Sequence, residues 1–314
     1  MSDTLIEIVE RLAVVEVRRV NRVSCPPQFV GESEEPGRLP LRMMEQEHCR
    51  HPDTVANVGC SRFWPVDQDD GYFDERIAAK YDEADGEEFD PKVIDQTVGF
   101  LADLAGRGRA LEFGIGTGRI ALPLARRGVP VHGIDLSKPM VAKLSAKPGG
   151  DDIAVTMGDF ATTVVEGSFS LVYLVCNTIM NLTTQEAQVE CFRNAAAHLV
   201  PGGCFVIKVM IPELQRLPPD ETFRVFRGSE TYWGIDEYDV ANQGLISHHI
   251  EIAEGNVEAV AMPFRYAWPA EYDLMAQLAG MRLRERWGGW MREPFTSESR
   301  KHVSVWEKGA VSVA

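Results

Sequence analysis

The feature that most constrains the fold is a glycine-rich turn between an apolar segment and an amphipathic one. The segment Ala110–Phe113 is apolar around one acid, the turn carries Gly114, Gly116 and Gly118, and a helical pattern continues through Arg126. Glycines at alternate positions let backbone amides approach a ligand where a Cβ would intrude. The N-terminus of the next helix presents unpaired N–H groups at the same place. We therefore predict a strand, a turn and a helix that bind a nucleotide-like ligand.

The glycine spacing separates two kinds of ligand. A dinucleotide-binding turn needs a third glycine at position 119, where this chain has Arg119. The pattern present is acid-x-Gly-x-Gly-x-Gly, with Glu112 as the acid. It resembles motif I of the class I S-adenosylmethionine-dependent methyltransferases, and the resemblance extends from about Tyr81 to Lys308. This resemblance implies S-adenosylmethionine as cofactor and methyl transfer to a nitrogen or oxygen of a small-molecule acceptor.

The order of predicted elements gives the fold class. Strands and helices alternate from Pro91 to Val209, which predicts a parallel sheet with right-handed crossovers. Three antiparallel strands are expected at 231–238, 245–252 and 257–266, then a helix at 271–279. Met281–Trp287 and His302–Trp306 are expected to close the sheet as a pair antiparallel to the rest. We thus predict an α/β, Rossmann-like, seven-stranded mostly parallel sheet with an antiparallel last strand and a small antiparallel β insertion, a layout similar to sugar N-methyltransferases.

The expected cofactor residues follow the strand ends. An acid at the tip of the second strand can accept both hydroxyls of a ribose, which is the role we assign to Asp135. The alternative is a helix cap, but Ser137 already stands at that position. The resemblance implies a lid role for Tyr81, an adenine contact for Asp159 and Phe160, and a place beside the sulfonium for Cys176. The expected cofactor-binding set is Tyr81, Glu112, Gly114, Gly116, Gly118, Asp135, Leu136, Met140, Asp159, Phe160 and Cys176.

Candidates for contact with the acceptor lie mostly in the predicted insertion. His248 and His249 alternate on one strand, so only one can face a pocket and act as general base. A packed or solvated strand histidine is the more common alternative. Asn177 follows the fourth strand, and the neighbouring pair Arg265 and Tyr266 could orient an anionic or hydroxylated acceptor.

The N-terminal segment has its own composition. We expect residues 1–66 to form a poorly ordered extension, 67–308 a methyltransferase domain with the insertion at about 213–268, and 309–314 a tail. His48, Cys49 and His51, with Cys60 downstream, invite a zinc hypothesis. Their spacing matches no paired Cys-x-x-Cys arrangement, so we expect no metal.

Composition excludes some partners and leaves two rival functions. The chain has 314 residues and a net charge of −15, which argues against nucleic acid as a partner. The sequence has no apolar run long enough to span a bilayer, no signal-peptide pattern, and six scattered cysteines. We therefore expect a cytoplasmic enzyme without a membrane partner. The resemblance also implies a possible homodimer through the insertion. The alternatives are an NAD-dependent oxidoreductase on a related fold and a non-catalytic S-adenosylmethionine-binding protein.

Overall fold

The computed structural model describes residues 73–84, 86–253 and 256–309, all within one compact unit, Phe63–Ala314. Its helices are α1 Glu75–Lys80, α2 Pro91–Ala105, α3 Ala121–Arg126, α4 Lys138–Ser145, α5 Gln185–His198 and α6 Pro269–Leu278. Its strands are β1 Ala110–Phe113, β2 Val131–Asp135, β3 Ala154–Met157, β4 Phe169–Leu174, β5 Leu199–Met210, β6 Phe223–Gly228, β7 Tyr232–Asp239, β8 Gly244–Ala253, β9 Asn256–Arg265, β10 Met281–Trp287 and β11 Lys301–Lys308.

Seven strands form the central sheet in the order β10-β11-β5-β4-β1-β2-β3. The five strands from β1 to β5 pair in parallel, and β11 is antiparallel to both β5 and β10. The predicted fold class is confirmed, but the expectation that β10 also runs against the sheet is wrong. Because α6 returns the chain to the edge at which β5 begins, β10 runs parallel to β5, whereas the 287–301 connection turns the chain back at the other edge and β11 reverses.

Polar side chains cap the beginnings of three helices, one of them the predicted Ser137. Asp90 caps α2 by accepting from Lys92 N–H at 2.8 Å, and Ser137 caps α4 by accepting from Met140 N–H at 3.3 Å. Thr184 caps α5, because its hydroxyl accepts from Ala187 N–H at 3.1 Å. The helix ends are therefore encoded locally.

The strand, turn and helix of the glycine-rich segment are joined by a buried carboxyl. Glu112 is 3% exposed in β1; it accepts from the Tyr173 hydroxyl at 2.8 Å and from the backbone N–H of Ala121, the first residue of α3. Burial raises the pKa of Glu112 to about 8. The side chain thus satisfies one of the unpaired donors at the start of α3 from beneath the turn.

A second, four-stranded antiparallel sheet has the order β6-β7-β8-β9. The sequence predicted three of these strands and missed β6, in which five of six residues are exposed and the apolar pattern is weak. Tyr238 and Leu245 belong to the main hydrophobic core, and Phe264 packs against it. Because residues opposite each other in paired strands share a face, these three define an inner face of the small sheet.

The buried state of Glu112 predicts a pH dependence of stability. A carboxyl whose pKa is raised on folding binds its proton more tightly in the folded chain. Its contribution to the free energy of unfolding is therefore present at low pH and is lost as pH rises from 4.5 towards about 8. Glu112→Gln has a similar shape and does not titrate. We expect the stability of the wild type relative to this variant to fall across that range in urea denaturation.

The control for this measurement is Glu83→Gln, at an exposed position on the same chain. We expect the difference between wild type and this control to stay flat across the same pH values. A flat difference for Glu112→Gln as well would contradict the assignment of a raised pKa.

Candidate active site

The turn and the tip of β2 meet in one hydrogen bond. The N–H of Gly116 donates to Asp135 Oδ2 at 2.6 Å, and the N–H of Ser137 donates to Oδ1 at 2.8 Å. The carboxylate is 8% exposed, so the bond forms away from bulk water. Both carboxylate oxygens therefore hold the backbone of the turn and of the segment after β2, at the position where the sequence predicts a ribose contact.

The glycine turn packs closely against α4 and the segment after β4 because it lacks Cβ atoms. Gly114, Gly116 and Gly118 have φ angles of 69°, 53° and 74°. A Cβ would come 2.8 Å from Thr178 Cγ2 at the first and 2.3 Å from Leu144 Cδ1 at the third, and at Gly116 it would meet Met140 Cε at 3.3 Å. Such a cradle, with a carboxylate at its edge, fits the adenosyl group that the sequence predicts.

The residues predicted to contact adenine differ in burial and in how closely they approach the turn. Phe160 is half-buried, stacks on Phe113 at a centroid distance of 5.9 Å, and approaches the Cβ position of Gly114 to 3.9 Å. Leu136 is also half-buried. Asp159 is exposed and its Oδ1 accepts from Ala161 N–H at 2.8 Å. Among these, the ring of Phe160 is directly against the turn.

A cluster of ionisable groups covers the other end of the turn. We call it the Arg119 cluster; its members are Tyr81, Glu88, Arg119, Cys176 and Lys208. Arg119 Nη2 donates to Cys176 Sγ at 2.6 Å, Nη1 donates to the carbonyl of Glu88, and the guanidinium also hydrogen-bonds Tyr81. The sequence interpretation treated Arg119 only as an absent glycine. The sequence held one signal for a role of Arg119: the residue is a cation at a helix N-terminus, where the helix dipole disfavours positive charge.

The Arg119 cluster carries one more positive charge than negative charge. Burial tends to raise the pKa of Glu88, but the ammonium of Lys208, which forms an ion pair with it, holds that pKa below its usual value. Burial raises the pKa of Cys176 to about 11, so the sulfur is a thiol near neutral pH and lies 3.4 Å from Glu88 Oε2. The cluster therefore combines one ion pair, the cationic guanidinium of Arg119 and a neutral thiol.

Two consecutive residues after β4 adopt left-handed backbone geometry. Cys176 and Asn177 have φ angles of 60° and 65°. Asn177 N–H donates to the Lys208 carbonyl at 3.2 Å, and its Oδ1 accepts from Met210 N–H at 2.8 Å, so β5 holds the bend. Non-glycine residues in this region cost about 1–3 kcal/mol each and cluster at functional sites. The bend keeps the two predicted residues at the carboxyl edge of the sheet.

The inner face of the small sheet carries a row of polar side chains. We call it the polar row: Tyr232, Asp236, Ser247 and His249. The Tyr232 hydroxyl bonds His249 Nδ1, Ser247 Oγ lies 3.3 Å from His249 Nε2, and Ser247 hydrogen-bonds the Asp236 carboxylate. Burial, with a smaller effect of His248, lowers the pKa of His249. A neutral imidazole is therefore favoured here.

The two predicted histidines lie on opposite faces. His249 belongs to the polar row on the inner face, opposite Gly234 of β7. His248 lies on the outer face, with Nε2 at 3.2 Å from Glu237 Oε2. Alternation along the strand, which the sequence already contained, thus leaves only His249 as a candidate for contact with an acceptor.

Two ion pairs beside the polar row join the small sheet to the segment after β5 and to α1. Arg224, opposite Asp236 on β6, pairs with Glu213 just after β5. Lys80 at the end of α1 lies 3.6 Å from Glu251, two residues beyond His249. The row therefore lies between the segment that follows β5 and the helix that leads into Tyr81.

Arg265 and Tyr266, predicted as acceptor contacts, are buried among protein partners. The Arg265 guanidinium donates to Gln188 Oε1 and Glu271 Oε1, each at 2.6 Å, and to Gln243 Oε1 at 3.0 Å. Tyr266 is 2% exposed, and its ring meets Tyr238 at a centroid distance of 5.8 Å. The structure does not bring Arg265 to the polar row, because a buried guanidinium needs several acceptors and α5 and α6 supply them.

Comparison with known proteins agrees with this architecture. Residues 110–203 match the methyltransferase-domain family. The Cypemycin N-terminal methyltransferase of a Streptomyces species is 30% identical over 203 residues, covering 63% of this chain and 82% of the relative. The solved CcbJ methyltransferase from Streptomyces caelestis is 38% identical, covers 74% of this chain and 96% of its own, and has a TM-score of 0.68. A Clostridium acetobutylicum methyltransferase, at 12% identity, 75% and 97% coverage and a TM-score of 0.60, shares the fold.

The glycine turn is held by an acid at the tip of β2, and the central sheet has the strand order given above. Together these features define a nucleoside-binding methyltransferase site. The chain belongs to the S-adenosylmethionine-dependent methyltransferases. The predictions of a methyltransferase and of its cofactor are confirmed, and the oxidoreductase alternative is excluded.

No helix in the described ranges is long and apolar enough to cross a bilayer. The residues of the zinc hypothesis, from His48 to Cys60, lie outside the described residues.

The bond between Asp135 and the turn predicts a strong effect on cofactor binding. Asp135→Asn keeps one acceptor oxygen but removes the charge and an acceptor. Since hydrogen bonds to charged groups contribute about 1.5–3 kcal/mol, we expect S-adenosylmethionine to bind at least about tenfold more weakly in calorimetry. The matched control is Asp152→Asn at an exposed position, which should bind like the wild type. An unchanged affinity of Asp135→Asn, with an intact fold, would refute this role.

Proposed function

We propose that this enzyme methylates a nitrogen of a small acceptor that binds between the polar row and the bend at Cys176 and Asn177. The observation that carries the proposal is the polar row itself, with a buried carboxylate and a neutral imidazole on the small sheet, which the ion pair between Lys80 and Glu251 joins to the helix that leads into Tyr81. An amine needs to lose a proton before it can attack a methyl group, so these groups suit nitrogen. The name of the Streptomyces relative, an N-terminal methyltransferase, supports nitrogen over oxygen.

In this proposal the cofactor lies across the glycine turn. Asp135 accepts from the ribose, and Leu136, Met140 and Phe160, with Asp159, surround the adenine. The methionine end lies towards the Arg119 cluster. Arg119 Nε is buried and has no hydrogen-bond partner among the described residues, which supports a role in binding the carboxylate of that end. Glu112 acts from beneath the turn, through Ala121 and Tyr173.

The chemistry requires little from the protein beyond correct positioning of the two reactants. The sulfonium supplies an already activated methyl group when it is bound. Alignment of the two reactants can lower the barrier by about 7–11 kcal/mol. Asn177 and the polar row orient the acceptor, Tyr81 and α1 exclude water, and a group of the polar row accepts the proton.

The domain limits stay as predicted, 67–308 with the insertion at about 213–268, and so does the cytoplasmic location.

The test is a methylation assay with defined amines. We expect S-adenosylhomocysteine release and a product heavier by one methylene with at least one of proline methyl ester, alanyl-alanine and glucosamine. The N-acetylated form of each is the control, because acetylation removes the nucleophilic lone pair and leaves the oxygens. Transfer to the N-acetylated compounds at equal rates would contradict nitrogen as the acceptor atom. Bound cofactor that no compound converts would favour the non-catalytic alternative.

We also propose that two copies pair through the outer face of the small sheet. Four apolar side chains on that face are exposed: Phe223 at 55%, Val225 at 50%, Ile246 at 38% and Val257 at 57%. A second copy offers the same apolar strip in a self-complementary arrangement. We expect a dimer in sedimentation velocity that Ile246→Lys converts to monomer, while Val164→Lys, at another exposed valine, leaves it intact. A monomeric wild type would refute the pairing.

A further inference from the structure

Asp236 is a buried carboxylate that forms no close ion pair within the described residues. It is 7% exposed, and no Lys, Arg or His of the described residues lies within 4.0 Å of it as an ion pair. Arg224 stands directly opposite on β6, yet its guanidinium pairs with Glu213. On the β8 side the neighbour is Ser247, and Met262 follows on β9. A buried charge normally requires a partner, so this position is suited to a cation from outside the chain.

The hydrogen bonds of the polar row all run towards Asp236. Ser247 has one hydroxyl proton and donates it to the carboxylate. His249 Nε2, at 3.3 Å from Ser247 Oγ, is then the donor of that contact, and Nδ1 accepts from Tyr232. The tautomer that this chain selects has its proton on Nε2. The ring nitrogen nearest Ser247 therefore has no free lone pair, and Asp236 is the accepting end of the row.

We propose that Asp236 binds the ammonium group of the acceptor and takes its proton, with His249 and Ser247 as positioning residues. This inference rests on the proposed methylation of nitrogen and names the residue that carries it out. One proton passes from the ammonium to a carboxylate oxygen. The freed lone pair then forms the N–CH₃ bond as the S–CH₃ bond breaks, and sulfur keeps the bonding electrons to give S-adenosylhomocysteine. The proton leaves Asp236 with product release, which restores the carboxylate.

The surroundings of Asp236 fit a group that can hold a proton briefly. Burial raises the pKa of Asp236, while the Ser247 hydroxyl and the charges of Arg224 and His248 oppose that rise. A higher pKa brings the carboxyl closer to the acidity range in which proton transfer is efficient. Tyr238, next on the inner face, is buried, and its hydroxyl has no partner among the described residues, which leaves a polar lining for the acceptor.

The test measures binding and turnover separately. The enzyme is saturated with S-adenosylhomocysteine and titrated by calorimetry with proline methyl ester, alanyl-alanine and glucosamine, each against its N-acetylated form. We expect at least one amine to bind saturably and its neutral counterpart to bind at least about tenfold more weakly. Asp236→Asn should weaken amine binding about ten- to hundredfold, because it removes a charge-assisted bond. The matched control, Asp239→Asn, removes one charge from the end of the same strand and should bind as the wild type.

Turnover separates the two residues of the row. Asp236→Asn should raise KM and also lower kcat, since both the cation partner and the proton acceptor are lost. Asp236→Glu should recover part of both. His249→Gln should keep KM within about threefold, because a positioning residue does not touch the ammonium. Thermal unfolding of each variant checks that the fold is retained.

The outcomes are distinct for the two proposals. No saturable amine binding to the wild type, equal binding of the N-acetylated forms, or unchanged affinity in Asp236→Asn overturns the role of Asp236. If Asp236→Asn binds normally while the wild type still methylates amines, only the inference fails. If amines bind through Asp236 but only oxygen is methylated, the proposed function fails and the binding role stands.

Discussion

The hydrogen bond between Gly116 and Asp135 is the constraint on which the rest of the site depends. It joins a turn that only glycines can form to the tip of the neighbouring strand, and it does so with little access to water. The turn fixes the start of α3, and Glu112 fixes the same helix from below. Everything that reaches the carboxyl edge of the sheet, including the bend after β4, is positioned relative to this pair.

Around that pair, the protein brings together groups from distant parts of the chain. The segment after α1 supplies Tyr81 and Glu88, the turn supplies Arg119, and β5 supplies Lys208. The small sheet adds the polar row. Ion pairs beside this row connect these layers, so cofactor and acceptor sides are held by charge as well as by apolar packing.

The sequence was sufficient for the central sheet because its strands carry their signals locally. β1 and β4 are apolar runs next to glycine or cap residues, and Asp135 lies at the end of a strand whose partner is set by the crossover rule. β6 was missed because its apolar alternation is limited to Phe223 and Val225, both of which are exposed. Its pairing with β7 is a tertiary contact that no local pattern encodes.

The acceptor side was harder to predict for a related reason. The sequence offered His248, His249 and Arg265 as chemically capable residues, but capability depends on the partners that folding provides. Arg265 is saturated by Gln188, Gln243 and Glu271, all far away in sequence. Asp236 went unnoticed among many acids, since only the register of β6 and β7 shows that the opposite arginine is used elsewhere.

The thiol of Cys176 has a consequence for the durability of the enzyme. In the proposed site this sulfur stands beside a potent alkylating agent, and a thiolate there would compete with the acceptor for the methyl group. With a pKa of about 11, only roughly one molecule in ten thousand carries the thiolate at neutral pH. The low dielectric around β4 thus protects the catalyst from methylating itself between turnovers.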